Sequence, residues 1–177
     1  VGRLIAVEKA GAQLAAADGR VDEIRECIGC NICRSGNNEG APIRCTQNPT
    51  MGEEWRRGWH PEKFTKTASR ESVLIVGGGP AGLEAALVTA KQGFEVTIAE
   101  QTDEWGGRVQ AETQLPGLAT WRRVRDYRVW ALSQMGNVSM YTNSELDADA
   151  TLSLGTDHIA IATGARWSKR LYSALEI

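Results

Sequence analysis

The chain has 177 residues, with 20 lysines and arginines against 22 aspartates and glutamates and a formal charge of −2. That balance excludes a global field drawing it to nucleic acid, and no apolar run approaches the roughly 18 residues that span a bilayer. With no signal-peptide pattern at its start either, the expectations are no nucleic-acid or membrane partner, a cytoplasmic location, and one full domain with a smaller appendage.

Residues 1–20 are rich in alanine, and Leu4, Ile5, Val7, Ala10 and Leu14 are spaced for a short amphipathic helix ended by Asp18-Gly19. No function is legible there. Residues 21–70 then form a distinct segment. All four cysteines of the protein lie in it, as Cys27-Ile-Gly-Cys30-Asn-Ile-Cys33 and, after a loop spanning 34–44, Cys45. Three thiolates two residues apart converge from one tight turn, and the fourth closes the cage from a loop folding back. A four-iron, four-sulfur cluster asks for that geometry, taking one thiolate per iron. Structural zinc fits less well, since its ligands usually come as two separate pairs, and disulfides or free thiols are the third reading. Packing every cysteine into one ligand-spaced motif also points to a reducing compartment.

The stretch Arg34 to Arg44 reads as a flexible loop. Beyond Cys45, Trp55, Trp59 and His60 read either as a wall that shields a cluster or as a small satellite core. Residues 63–70 read as a linker.

At Ser72 the pattern changes. Val73-Leu-Ile-Val76 is a short β-branched run, as expected of a buried parallel strand, and it leads into Gly77-Gly78-Gly79-Pro80-Ala81-Gly82. A helix follows, with Leu83, Ala86, Leu87 and Ala90 on one face and Gly93 at its end, and a second strand runs from Phe94 to Glu100. In such a unit Gly77 permits the tight turn, Gly79 lets the backbone approach a pyrophosphate and Gly82 lets helix and sheet pack closely. The free N–H groups at the start of the helix and the helix dipole hold the phosphate charge. Glu100, about 20 residues further on, accepts hydrogen bonds from a ribose and disfavours NADP by repelling a 2′-phosphate. Gly106-Gly107-Arg108, a second glycine pair just after the second strand, reads either as a further approach of backbone to the ligand's pyrophosphate or as only a turn.

Thr120 is expected to cap a helix running to about Met135. The arginines Arg122, Arg123, Arg125 and Arg128 on it read as a solvated face, since Val124, Ala131 and Met135 share one face and Arg122 and Arg125 lie opposite. A third strand is expected at Val138 to Tyr141, a short helix at Asp147 to Leu154, and a last buried strand from Asp157 to Ala162. It ends in Ala162-Thr163-Gly164, where the chain passes a bound dinucleotide. The fold class is therefore α/β: an incomplete Rossmann-like parallel sheet of the FAD/NAD(P)-binding type over 71–167, preceded by a cysteine-rich iron–sulfur loop segment. Residues 168–177 carry no signal. A start on Val1 and a last element ending well before Ile177 read as a piece of something larger.

With both motifs in hand, the chain resembles the iron–sulfur flavoproteins that include trimethylamine, dimethylamine and histamine dehydrogenases and 2,4-dienoyl-CoA reductase. The resemblance rests on Ile24-Arg-Glu-Cys-Ile-Gly-Cys-Asn-Ile-Cys33, Cys45-Thr-Gln-Asn48, Gly52-Glu-Glu-Trp-Arg-Arg-Gly-Trp-His-Pro-Glu62, Val76-Gly-Gly-Gly-Pro-Ala-Gly82 and Ala162-Thr-Gly-Ala-Arg-Trp167. The spacing of the first three cysteines resembles the amine dehydrogenase branch. The resemblance implies that Cys27, Cys30, Cys33 and Cys45 hold a 4Fe-4S cluster. It implies ADP or FAD at Gly77, Gly79, Gly82 and Glu100, with Pro80, Ala81, Gly107, Arg108, Ala162, Thr163 and Gly164 around it. It further implies a parent, compatible with a homodimer, that oxidises a small amine at FMN in a barrel outside this chain and passes electrons through the cluster to an external electron-transfer flavoprotein. No catalytic residue is expected in the present residues. Two alternatives stay open: an NAD(P)H-dependent FAD/4Fe-4S reductase of the dienoyl-CoA reductase type, and a non-catalytic ADP-binding module with a structural cluster.

Overall fold

The computed structural model describes residues 17–52, 64–68 and 70–165. The lead-in helix expected before residue 17, the Trp55, Trp59 and His60 group and everything beyond Ala165 lie outside these residues.

The core is a parallel four-stranded sheet in the order β3-β2-β1-β4, with β1 at Ser72–Val76, β2 at Glu95–Ala99, β3 at Val138–Tyr141 and β4 at His158–Ile161. Val73 pairs with both Val96 and His158, which puts the C-terminal ends of β1, β2 and β4 at one edge of the sheet. Helix α2, Pro80–Gln92, follows β1 with proline in its first turn and ends at Gly93, whose φ of 101° needs no Cβ. Leu83, Ala86, Leu87 and Ala90 are buried against Val73, Ile75, Val96 and Ile98. The expected strand, turn, helix, strand unit is therefore present. Burying each of the larger side chains contributes about 1.5–3 kcal/mol.

Helix α3 spans Arg108–Glu112, α4 spans Arg123–Ser133 and α5 spans Ala148–Ser153. Asp147 caps α5 by accepting from the Ala150 amide at 2.8 Å. Thr120 does not cap α4 as expected. It sits inside a 3-10 turn, Ala119–Arg122, and its hydroxyl donates to the Ile28 carbonyl at 3.3 Å, so it faces the cysteine segment. The last strand also differs. Ile159 and Ile161 of β4 are 40% and 68% exposed, and among the described residues β4 pairs only with β1. An apolar run reports what a strand can bury and does not say whether it stands at an edge.

The stretch expected to be a flexible loop after Cys33 begins as a helix, α1 at Ile32–Asn38. The turn-forming residues Ser35, Gly36 and Asn37 satisfy their backbones through successive helical bonds, and the chain then reverses at Gly40, with φ of 68°. Among the described residues no helix is long and apolar enough to cross a membrane.

At the base of the sheet the Asp157 carboxylate accepts from both the amide and the hydroxyl of Ser72, each at 2.7 Å, which clamps the start of β4 to β1. The Ser72 backbone bond holds this carboxyl below the ordinary aspartate value. A lowered folded pKa gives stability that is present above the unfolded pKa and lost as pH falls through the folded one. The stability gap between the protein and Asp157→Ala is expected to close as pH drops below about 4, the ordinary aspartate range. Urea midpoints measured at neutral and acid pH check this, and an equal gap at both refutes it.

Candidate nucleotide cavity and cysteine segment

At the C-terminal edge of the sheet lies a cavity of about 900 Å³. Gly77, Gly79, Pro80, Ala81, Glu100, Gly107, Arg108, Ala162, Thr163 and Gly164 all line it. Gly82 does not. It is buried under the loop, where a Cβ would stand 1.9 Å from the Gly77 carbonyl oxygen, so its part is packing and not contact. Gly79 is the opposite case, since a Cβ there would meet no protein atom within 4 Å and would project into open space. That is the position at which a glycine leaves room for a pyrophosphate. The first-turn amides of α2 precede its first helical bond, from Leu83 to Gly79 at 2.9 Å.

The Glu100 carboxylate, 6% exposed, is fixed by the chain itself. One oxygen accepts from the Gly78 amide at 2.7 Å, and the other accepts from the amide and hydroxyl of Thr102, both at 3.0 Å. An ionised carboxylate has about four lone-pair sites, so acceptor capacity remains for a ribose. The second glycine pair braces the first loop. The Gly106 amide donates to the Gly78 carbonyl at 2.8 Å, and a Cβ on Gly107 would stand 3.2 Å from the Gly79 Cα. The Trp105 ring lies against Gly78, where any Cβ would meet it at 2.4 Å. Neither Thr102 nor Trp105 carried a sequence signal, because both act on the glycine loop through a turn whose course no spacing reveals.

The cysteine segment is docked on the nucleotide domain by α4 and the turn before it. Besides Thr120 on Ile28, the Arg123 guanidinium donates to the Cys27 carbonyl at 2.9 Å and pairs with Glu26 at 2.9 Å. The Gln47 amide nitrogen donates to the Glu26 carbonyl at 3.0 Å. Arg128 corrects the expected solvated face: it is 3% exposed, pairs with Glu84 at 2.6 Å, and donates to the Gln47 side chain at 2.9 Å and to the Val124 carbonyl at 2.8 Å. Its phase explains this, since Arg128 is four residues after Val124 and three before Ala131, on the buried stripe. Arg122 is exposed as expected. Arg25, also buried, lies over the Tyr127 ring with 5.3 Å to the centroid. Burial lowers its pKa, opposed by Tyr127 and Glu84.

All four cysteines are free thiols, each half-buried. Among the described residues no three His, Cys, Asp or Glu side chains are grouped to hold a metal ion. An iron–sulfur cube makes a different demand, because each thiolate sits on its own iron and the ligands stand further apart than around one ion. Four thiols from one short segment are the donor chemistry such a cube takes. The Cys30 sulfur lies 3.1 Å from the hydroxyl of Thr46, so the loop carrying Cys45 does fold back on the cysteine turn. The Gly29 amide donates to the Cys27 sulfur at 3.3 Å, with Gly29 at φ of 72° making the turn that permits it.

A family profile described as an NAD(P)-binding Rossmann-like domain matches residues 75–144. The chain is 45% identical over 157 residues to a dimethylamine dehydrogenase of Hyphomicrobium sp. (strain x), an alignment covering 85% of this chain and 21% of that protein. It is 36% identical over 152 residues to an NADH oxidase of Thermoanaerobacter brockii, covering 85% and 23%. The solved histamine dehydrogenase of Rhizobium sp. 4-9 superposes with a TM-score of 0.88 at 47% identity, covering 96% of this chain and 24% of that one. The chain thus spans about a quarter or less of the length of the relatives it matches.

Proposed function

This chain is a homologue, along most of its length, of flavoprotein oxidoreductases of the amine dehydrogenase and NADH oxidase kind, and from that premise we propose that it is the electron-transfer and nucleotide-binding part of such an enzyme. Cys27, Cys30, Cys33 and Cys45 hold a four-iron, four-sulfur cluster, and the cavity beside Glu100 takes ADP or the adenylate end of FAD. When bound, the cluster supplies one-electron transfer between the substrate-oxidising FMN of the longer protein and an external flavoprotein acceptor. The substrate is a small amine, in keeping with the identity to the dimethylamine and histamine dehydrogenases. A reducing compartment such as the cytoplasm suits four free thiols.

One observation carries the reading: the cysteine turn is tied by Thr120 and Arg123 to the domain that bears the glycine-rich cavity. Each residue then has a separate task. The first turn of α2 meets the pyrophosphate, Glu100 orients the ribose, and the bonds to the carbonyls of residues 26–28 hold the turn in place. A second reading, an NADH-dependent reductase with FAD in the same cavity, is favoured by the identity to the NADH oxidase.

Anaerobic purification followed by iron, acid-labile sulfide and nucleotide analysis tests the proposal. Equal iron and sulfide with bound adenine nucleotide are expected. Cys45→Ser should lose most of the iron while keeping nucleotide, and Glu100→Ala should weaken nucleotide binding by about tenfold, one charged hydrogen-bonding group's worth. Stoichiometric zinc without iron would end the cluster reading. Retained FAD bleached by NADH would move the assignment to the reductase.

A further inference from the structure

Three donors of the chain converge on the Glu100 carboxylate: the Gly78 amide on Oε2, and the amide and hydroxyl of Thr102 on Oε1. A carboxylate offers about four lone-pair sites, two on each oxygen, so the described residues leave one open, on Oε2. An adenylate ribose presents two neighbouring hydroxyls. For both to donate to Glu100, one of the three protein donors must withdraw. Neither amide can. Gly78 lies under the Trp105 ring with its carbonyl held by the Gly106 amide at 2.8 Å. The backbone at Thr102 is pinned from the loop after β3, where the Asn143 amide donates to the Thr102 carbonyl and the Ser144 amide to the Glu100 carbonyl, both at 2.8 Å. The Thr102 hydroxyl differs, because a second acceptor stands within its reach. Its oxygen lies 3.0 Å from Glu100 Oε1 and 2.9 Å from the Glu104 carbonyl oxygen, and one proton serves both. Turning that proton from one acceptor to the other moves no heavy atom.

We infer that Thr102 is a positioning residue that sets how Glu100 reads a sugar: its hydroxyl donates to the carboxylate until a ribose arrives, then turns to the Glu104 carbonyl so that both ribose hydroxyls can donate to Glu100. The inference rests on the proposed adenine-nucleotide site. It narrows the ligand to a ribose with both hydroxyls free, since a phosphate in place of either has no proton to donate to a carboxylate. The turn also has a cost with a definite sign. A hydrogen bond to a charged acceptor is exchanged for a weaker one to a neutral carbonyl, so the threonine hydroxyl holds affinity below what the carboxylate alone would give. A threonine that merely held Glu100 in place would have the opposite effect, because its loss would weaken binding.

The sign gives the test. The whole protein is titrated calorimetrically with ADP and with 2′,3′-dideoxy-ADP, which has no ribose hydroxyl to claim a lone pair, and a urea midpoint is taken for every variant. Thr102→Val keeps the shape and removes the hydroxyl. It should tighten ADP by about fivefold, the difference between a charged and a neutral hydrogen bond, and leave dideoxy-ADP unchanged. Thr102→Ser keeps the hydroxyl and should bind ADP as the unaltered protein does. If the urea midpoint of Thr102→Val falls, Thr102→Ala carries the same expectation with a smaller side chain. Weaker or unchanged ADP binding without the hydroxyl, or an equal gain for both ligands, overturns the inference while leaving the nucleotide site standing. ADP that binds neither the unaltered protein nor any variant overturns the site itself, and this inference with it.

Discussion

Gly82→Ala is expected to destabilise the nucleotide domain by roughly 3 kcal/mol or more, at the upper end of what added volume costs in a packed interior. The new Cβ would stand 1.9 Å from the Gly77 carbonyl oxygen and 3.3 Å from the Ala162 Cβ. Neither neighbour can yield. Gly77 is held by its amide bond to Ala99 at 2.8 Å and by a φ of 109°, and a Cβ on it would in turn meet the Ala162 carbonyl, so the loop is hemmed in from both sides. The methyl group must therefore push α2 off the sheet at the point where its first turn begins. Gly79→Ala supplies the contrast. Its φ of −72° suits any residue and no protein atom lies within 4 Å of the added methyl, so stability should change by no more than about 0.5 kcal/mol. The methyl instead occupies the cavity, and adenine-nucleotide affinity should fall by tenfold or more, since a single misplaced contact at a pyrophosphate is felt in full. Urea unfolding and calorimetric titration with ADP separate the two. Equal effects of both substitutions on stability would show that the loop does not pack as described.

That contrast also marks where sequence reasoning reached. The jobs of Gly77, Gly79 and Gly82 follow from a fixed local pattern, strand to turn to helix, in which each glycine sits at a set distance from the same two elements. The elements β1, α2 and β2 were legible for the same reason: a β-branched run, a 3.6-residue stripe and a second apolar run leave little choice. The return of Ala162-Thr163-Gly164 to the cavity was legible because a parallel strand beside β1 must end at the same edge. What depends on distant partners was not. Thr120 looks like a helix cap and instead bonds Ile28, 92 residues away in sequence. Ile159 and Ile161 look like core, and among the described residues they stand on a strand that pairs only with β1. Ser35-Gly36-Asn37 looks like a loop and makes a helix, because short turn residues satisfy either conformation and only the return of the chain decides between them. In Arg128 the signal was present, since it lies on the stripe of Val124 and Ala131, but charge outweighed phase in the reading.

Arg128 is also where the second large effect is expected. Arg128→Met should cost roughly 3–5 kcal/mol, the range for breaking a buried ion pair by removing one partner. Its guanidinium joins three parts of the molecule: Glu84 on α2, the Val124 carbonyl within α4, and Gln47 of the cysteine segment. Without it the Glu84 carboxylate and the Gln47 side-chain oxygen lose their charged donor in a site that is largely closed to water, and a buried acceptor left unsatisfied costs about 1–3 kcal/mol by itself. Glu84→Leu placed on top of Arg128→Met removes the stranded charge, so the double variant should be more stable than Arg128→Met alone. Full recovery is not expected, because Gln47, only 1% exposed, still lacks its donor. A double-mutant cycle from urea unfolding reads the coupling, expected at 0.5–3 kcal/mol for groups in direct contact. Limited proteolysis around residues 39–47 reads its location. If the ion pair clamps the cysteine segment to the nucleotide domain, Arg128→Met should speed cutting there well before it exposes β1 or β2. Cleavage that rises equally at both places would mean that the pair stabilises the domain as a whole, and an unchanged stability of Arg128→Met would mean that this buried charge holds nothing together.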